Sequence, residues 1–280
     1  MRKALLGGLL ALLVPTFSAV GDDWSHQYAL KGRPELHVAT DDGNVRIETS
    51  DRAQIDARVT TQGWRIAPGE VTITESQVGD RVSIEVRLPR DRFRLFGHRS
   101  IAVTLGVPRE ADIDVRTGDG SVSAQPVSGR VSIFTGDGSI TAEGLHGNIR
   151  LHTGDGSIRA TGLEGRLEAD TGDGHMDIRG RFELLDLSTG DGGIAAEVEN
   201  GSILSGAWSL RSGDGGITLR VPEGLNADLD AHTGDGRINL DFPITVAGSI
   251  SHSNVRGKLG AGGPPLKLRT GDGSIRLQRL

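Results

Sequence analysis

The sequence predicts an all-β fold: a β-solenoid, similar to a single-stranded β-helix, with 18-residue coils and an N-terminal antiparallel β cap. Three observations predict it. The tetrapeptide Thr-Gly-Asp-Gly begins five times at 18-residue steps and then recurs at longer ones, and between its copies apolar and polar residues alternate as in a strand with one buried face. Glycine supplies 42 of 280 residues, whereas aromatic residues supply only 4 %. This composition fits a thin stack of turns in which Trp or Tyr would not fit.

The chain begins with a predicted export signal in residues 1–21. Two basic residues precede an apolar run from Ala4 to Val14, and small residues permit cleavage after Gly21. The run is shorter than the ~20 residues of a membrane-spanning helix, and no later stretch reaches that length. We therefore expect an exported protein, periplasmic or at the cell surface or extracellular, with no membrane span once the signal is removed. The alternative is an uncleaved anchor helix.

Residues 22–110 are predicted to form the N-terminal β cap. Alternating segments are separated by longer turns, which indicates antiparallel hairpins. A cap is needed because an open solenoid end exposes a strand edge. An early copy of the repeated corner occurs at Thr40-Asp41-Asp42-Gly43. The alternating segments are residues 35–39, 44–47, 54–59, 70–73 and 81–86.

Residues 111–280 are predicted to form the solenoid. An 18-residue unit cannot bury its own apolar face, so copies must stack with like residues above like residues. We expect eight clear coils and a degenerate one near residue 254, where Asn254 would take the left-handed backbone position of glycine. Nine coils would make a rod of roughly 40 Å. The tetrapeptide copies begin at Thr117, Thr135, Thr153, Thr171, Thr189, Ser212, Thr233 and Thr270, and the inward column after them comprises Val122, Ile140, Ile158, Met176, Ile194, Ile217, Ile238 and Ile275.

One aspartate recurs at the corner of every coil. The structural interpretation is an Asx-turn, in which each carboxylate accepts backbone N–H groups and the flanking glycines adopt positive φ. The functional alternative is a carboxylate ladder that binds calcium or another hard cation. Calcium-binding nonapeptide solenoids carry such an Asp twice in this length, whereas this chain carries it once, so we predict no metal site and no cofactor. The column comprises Asp119, Asp137, Asp155, Asp173, Asp191, Asp214, Asp235 and Asp272.

One dense basic and aromatic stretch lies before residue 100. The formal net charge of the chain is −6, which disfavours nucleic acid as a partner. A local reversal of that charge is a candidate contact for a cell-envelope protein or an anionic glycan. The alternative is a hairpin loop whose aromatic residues pack on the cap. The candidate residues are Arg90, Arg92, Phe93, Arg94, Phe96 and Arg99.

Catalytic motifs are absent from the sequence. There is no cysteine, no HExxH, no GxSxG and no P-loop, and the eight histidines are scattered. Polysaccharide-active enzymes do occur among parallel β-helix proteins, and a groove lined by the aspartates would suit one. Because fold alone does not give function, we predict a non-enzymatic protein and keep this enzyme class as an alternative.

The signal peptide, the repeated Thr-Gly-Asp-Gly-Ser-Ile and the closing segment 262–275 resemble a family of exported bacterial β-strand-repeat proteins labelled "putative adhesin", a domain of unknown function. The resemblance covers roughly residues 30–280. It implies a non-catalytic envelope or surface protein and supplies no catalytic residue. We expect an adhesin-like interaction or scaffold protein. A cation-binding structural module and a polysaccharide-active enzyme are the alternatives, and the sequence leaves the oligomeric state open.

Overall fold

The computed structural model describes residues 21–89, 99–246 and 251–280. These residues form β-strands and turns without a helix, so the described chain holds no helix of the length and hydropathy that a membrane crossing requires. The predicted export signal in residues 1–21 lies outside this part except for Gly21. The strands before residue 125 are β1 (Asp23–Ala29), β2 (Glu35–Thr40), β3 (Asn44–Ser50), β4 (Gln54–Gln62), β5 (Thr72–Val78), β6 (Arg81–Arg87), β7 (Ser100–Pro108), β8 (Asp112–Thr117) and β9 (Val122–Ala124).

The later strands follow the repeat, and two of them run through a coil without a break. They are β10 (Ser128–Thr135), β11 (Ile140–Glu143), β12 (His146–Thr153), β13 (Ile158–Thr171), β14 (Met176–Thr189), β15 (Ile194–Val198), β16 (Trp208–Ser212), β17 (Ile217–Val221), β18 (Ala227–Thr233), β19 (Ile238–Leu240), β20 (Ile244–Val246), β21 (Asn254–Leu259), β22 (Pro265–Thr270) and β23 (Ile275–Arg279).

Two parallel ladders run the length of the stack. The upstream ladder contains β6 and the strands that precede a Thr-Gly-Asp-Gly corner or one of its variants at Thr40 and Ser212. Its order is β6-β2-β8-β10-β12-β13-β14-β16-β22-β18. The downstream ladder contains β7 and the strands that follow these corners, in the order β7-β3-β9-β11-β13-β14-β15-β17-β23-β19. Equivalent residues face one another, as Thr135 faces Thr117 and Thr153. The predicted all-β, solenoid-like stack is confirmed.

Layer order departs from chain order at both ends of the stack. The β2–β3 layer lies between the β6–β7 and β8–β9 layers, although it comes first in the chain. The β22–β23 layer, which comes last, lies between β16–β17 and β18–β19. Antiparallel strands cover the ends: β4 and then β1 lie beside β7, β5 lies beside β6, and β21 and then β20 lie beside β18.

Two sequence expectations need correction here. Residues 22–110 do not form a purely antiparallel cap, because β2, β3, β6 and β7 belong to the parallel ladders. Asn254 does not take a left-handed position: it begins the antiparallel strand β21, and positive φ occurs only at glycines among the described residues. The corner expected at residues 40–43 is present and packs directly beneath Gly118 and Gly120.

The core consists of columns of inward side chains. Ile140, Ile158 and Met176 lie above one another and are at most 1 % exposed. The interior also holds Trp208, which is fully buried beside Leu266, so the expectation that Trp would not fit is wrong. The indole N–H donates a 3.3 Å hydrogen bond to a backbone carbonyl, and the connection that precedes this layer is longer than the 18-residue repeat allows.

Candidate functional site

Threonine side chains hold the repeated corners together. Thr153 is fully buried, and its Oγ1 donates a hydrogen bond of 2.8 Å to the carbonyl oxygen of Gly138 in the preceding layer. The same atom accepts a 3.1 Å bond from the N–H of Gly156 in its own corner. Each hydroxyl thus satisfies one buried group in each of two successive layers. The same pair of contacts is made by Thr135, Thr171, Thr189, Ser212 and Thr233.

The corner glycines are required by close approach and not by φ. None of them has positive φ, so that part of the Asx-turn prediction is wrong. A Cβ added at Gly156 would lie 2.0 Å from the carbonyl oxygen of Gly138, which no side chain can occupy. The N–H of Gly154 in turn donates a 2.6 Å bond to the carbonyl of Gly136. Positive φ occurs at the other corners, for example at Gly144 and Gly162.

The aspartates of the corners point into solvent. All eight are exposed, and within the described part of the chain their side chains make no hydrogen bond or ion pair. The prediction that they accept the corner N–H groups is therefore wrong, because threonine performs that role. No group of three or more His, Cys, Asp or Glu side chains among the described residues is arranged to hold a metal ion. The stacked column comprises Asp119, Asp137, Asp155, Asp173, Asp191, Asp214, Asp235 and Asp272.

The predicted basic patch is placed only at its last residue. Arg90, Arg92, Phe93, Arg94 and Phe96 lie outside the described residues. Arg99 is described, and its guanidinium carbon lies 4.3 Å from the centre of the Trp64 ring. This cation–π contact, typically worth ~0.5–1 kcal/mol at an exposed site, holds Arg99 against the N-terminal strands.

Outward side chains of successive layers form ion pairs along both ladders. Arg150 pairs with Glu168 at 2.8 Å, and Arg179 pairs with Glu197 at 3.1 Å. Exposed pairs of this kind contribute roughly 0–1 kcal/mol each, so their main effect is to set the charge pattern of the surface. One outward pair is aromatic: the rings of Phe134 and His152 stack with centres 4.7 Å apart.

Glu164 and Asp230 are two of the outward carboxyl groups whose pKa is lowered. Hydrogen bonding by Arg181, reinforced by its charge, lowers the pKa of Glu164. At Asp230, partial burial acts to raise the pKa, but hydrogen bonds and charge from Arg269 and Arg256 outweigh it and leave the pKa below its ordinary value. Both carboxylates are therefore ionised at neutral pH and cross-link adjacent strands.

A depression of about 790 Å³ lies on the outer side of β1, β4, β7 and β3. A second depression of about 490 Å³ adjoins it and shares Thr104 of β7. The first is lined mainly by polar residues, and the second by polar and apolar residues alike. The sequence reasoning did not single out this region, although the small alternate residues of β7 were a visible signal.

The chain belongs to the Toastrack DUF4097 family, whose model matches residues 34–278. This confirms the resemblance to a domain family of unknown function. No curated protein matches the chain.

Three solved structures show a weak likeness over most of the chain. One is described as a "putative adhesin" from Bacteroides fragilis NCTC 9343, with 10 % identity and a TM-score of 0.47 over 92 % of this chain and 97 % of that one. Another is a "putative lipid binding protein" from Parabacteroides distasonis ATCC 8503, with 15 % identity and a TM-score of 0.48 over 92 % and 98 %. A third, a "putative cell adhesion protein" from Clostridium sporogenes ATCC 15579, has 12 % identity and a TM-score of 0.31 over 93 % and 100 %.

Proposed function

We propose that this protein is a non-catalytic interaction or scaffold protein of the cell envelope, exported to the periplasm or the cell surface. One observation supports the proposal: apart from the exposed corner aspartates, the residues that recur from coil to coil are buried and hold the layers together. Thr153 and Gly156 are buried within the corner, and Ile158 lies in the core. The outward positions of the strands differ from layer to layer, so they are the ones that could recognise a specific partner.

The charge pattern supports a binding role over catalysis. Outward arginines are largely paired with carboxylates of neighbouring strands, for example Arg150 with Glu168 and Arg211 with Asp186. Such pairing neutralises a rigid surface without leaving the reactive, perturbed groups that an active site concentrates. The predicted signal in residues 1–21 supports export.

Two measurements test the proposal. The tagged chain is produced in a bacterial host, the mature N-terminus is sequenced, and the cell fractions are compared. Purified protein is then immobilised and exposed to solubilised envelope proteins and glycans, beside a variant in which Arg90, Arg92 and Arg94 are replaced by alanine. We expect cleavage near Gly21, an envelope location and specific retention by the wild type. Cytoplasmic location, or no retained component with either protein, contradicts the proposal. Loss of retention in the variant alone would locate the contact in the basic patch.

A further inference from the structure

Resting on the proposed envelope role, the geometry points to a specific ligand site: we propose that the groove along β7 binds a segment of a linear, uncharged, hydroxyl-rich polysaccharide. The groove is the outer surface of β7 together with the two strands that flank it, β3 and β4. It unites the two depressions of about 790 and 490 Å³ at Thr104.

The floor of the groove is made of small residues. The outward side chains in the middle of β7 are Ala102, Thr104 and Gly106, so nothing tall rises from this strand. A Cβ added at Gly106 would meet the Asp56 side chain at 3.4 Å, an ordinary contact, so this glycine is not forced by crowding or by positive φ. Its effect is to keep the floor low between two polar walls.

The walls are set by strand register. Thr104 lies between Arg46 of β3 and Arg58 of β4, and Gly106 lies between Glu48 and Asp56. Each facing pair is two strand spacings apart, about 10 Å between backbones, which leaves a channel over β7.

Three of the four wall residues are uncommitted. Arg46, Arg58 and Glu48 make no hydrogen bond or ion pair within the described part of the chain, in contrast to the paired arginines elsewhere on the stack. Only Asp56 is held, by a 2.6 Å bond from the Gln54 side chain and by Arg52 at 3.8 Å. Side chains with unused hydrogen-bonding groups on both walls suit a ligand that supplies many partners.

The lining selects among ligand classes. A sugar hydroxyl both donates and accepts, so it matches walls that alternate guanidinium donors with carboxylate acceptors. Phosphates of a nucleic acid would meet Glu48 and Asp56, and a polycation would meet Arg46 and Arg58. A lipid chain would have to lie against the charged side chains of Arg46, Glu48 and Arg58, which is costly. An extended peptide would need an open strand edge, whereas β7 is hydrogen-bonded on both sides.

Calorimetric titration of the full chain with maltohexaose, cellohexaose and chitohexaose tests the site, with polygalacturonate and spermine as charged comparisons. We expect at least one hexasaccharide to bind more tightly than either charged probe. Gly106→Leu fills the floor and should abolish binding. The matched control Ala195→Leu places the same side chain on an outward position of β15. Arg58→Ala should weaken binding about tenfold, as expected for one hydrogen bond to a charged group. Arg276→Ala, which removes another unpaired outward arginine, should not weaken it.

The proposal is overturned if no hexasaccharide binds, if a charged probe binds better, or if the Gly106→Leu and Ala195→Leu proteins bind alike while both retain the wild-type melting temperature. The retention experiment distinguishes a failure of the groove proposal from a failure of the proposed envelope function. If immobilised wild type and Gly106→Leu protein retain the same components, the groove is not the site but the envelope role stands. If neither retains any, the envelope role itself fails.

Discussion

Replacing Thr153 with valine removes one hydroxyl from the middle of the stack and preserves its shape. The hydroxyl donates to the carbonyl of Gly138 at 2.8 Å and accepts from the N–H of Gly156 at 3.1 Å. Both glycines are buried, so after Thr153→Val neither backbone group gains water in compensation. A buried polar group left without a partner costs about 1–3 kcal/mol. With two such groups, we expect a loss of roughly 2–6 kcal/mol in the free energy of unfolding.

Urea unfolding followed by circular dichroism measures this loss, and two further variants identify its cause. Thr153→Ser keeps the hydroxyl and loses only a methyl group, so it should cost about 1 kcal/mol. Ser212 already serves in this role in another corner, with contacts of 2.8 and 2.9 Å. Thr141→Val changes an exposed threonine of β11 and should stay within about 0.5 kcal/mol of wild type. The reasoning is refuted if Thr153→Val is as stable as Thr141→Val. It is also refuted if Thr153→Ser has a lower free energy of unfolding than Thr153→Val.

Further outcomes follow from the same contacts. Gly156→Ala drives a Cβ to 2.0 Å from the Gly138 carbonyl and should prevent cooperative folding, as judged by thermal melting. Ile158→Asp places a charge in the core and should cost about 4 kcal/mol or more in urea unfolding. Because the pKa of Asp230 is lowered, its contribution to stability is present at neutral pH and is lost as the pH falls below ~4. The stability gap between wild type and Asp230→Asn should therefore narrow on acidification. Calcium or a chelator should leave the melting temperature unchanged.

Gly156→Ala and Ile158→Asp each have a matched control variant. Gly224→Ala should be tolerated, because nothing lies within 4 Å of the added Cβ. Arg159→Asp changes the exposed residue next to Ile158 in the chain and should leave the stack folded. A gap between wild type and Asp230→Asn that stays constant from pH 7 to pH 3 would contradict the ion-pair account. A melting temperature that rises with calcium would instead support cation binding by the column of corner aspartates.

The sequence predicted the layers well because the repeat places equivalent residues at equivalent depth. Ile140, Ile158 and Met176 occupy the inward column as expected. Layer order could not be predicted, because parallel columns of similar apolar residues fit one another in any order. The order depends on the end strands and connections, where the repeat is broken.

The chemistry of the corner was assigned to the wrong side chain. Asp recurs in all eight corners, and the position of Thr135 is Thr in seven of them and Ser in one. Both positions carry residues that cap turns, so spacing alone did not distinguish them. Depth does: Thr135 is fully buried, whereas Asp137 is exposed. The groove along β7 could not be predicted from the sequence, because it depends on Gly106 lying between Glu48 and Asp56, which are distant from it in the chain.

The out-of-order layers at the two ends bear on how such a protein can change length. The β22–β23 layer is hydrogen-bonded on both sides, to β16–β17 and to β18–β19, so a repeat appended after residue 280 would find no free ladder edge beside it. The β2–β3 layer is enclosed in the same way at the other end. Between β8 and β17 the layers follow chain order. One 18-residue unit can therefore be duplicated or deleted there without disturbing the enclosed β2–β3 and β22–β23 layers. Growth of the stack is thus confined to its interior, and the ends can be inherited unchanged by longer or shorter relatives.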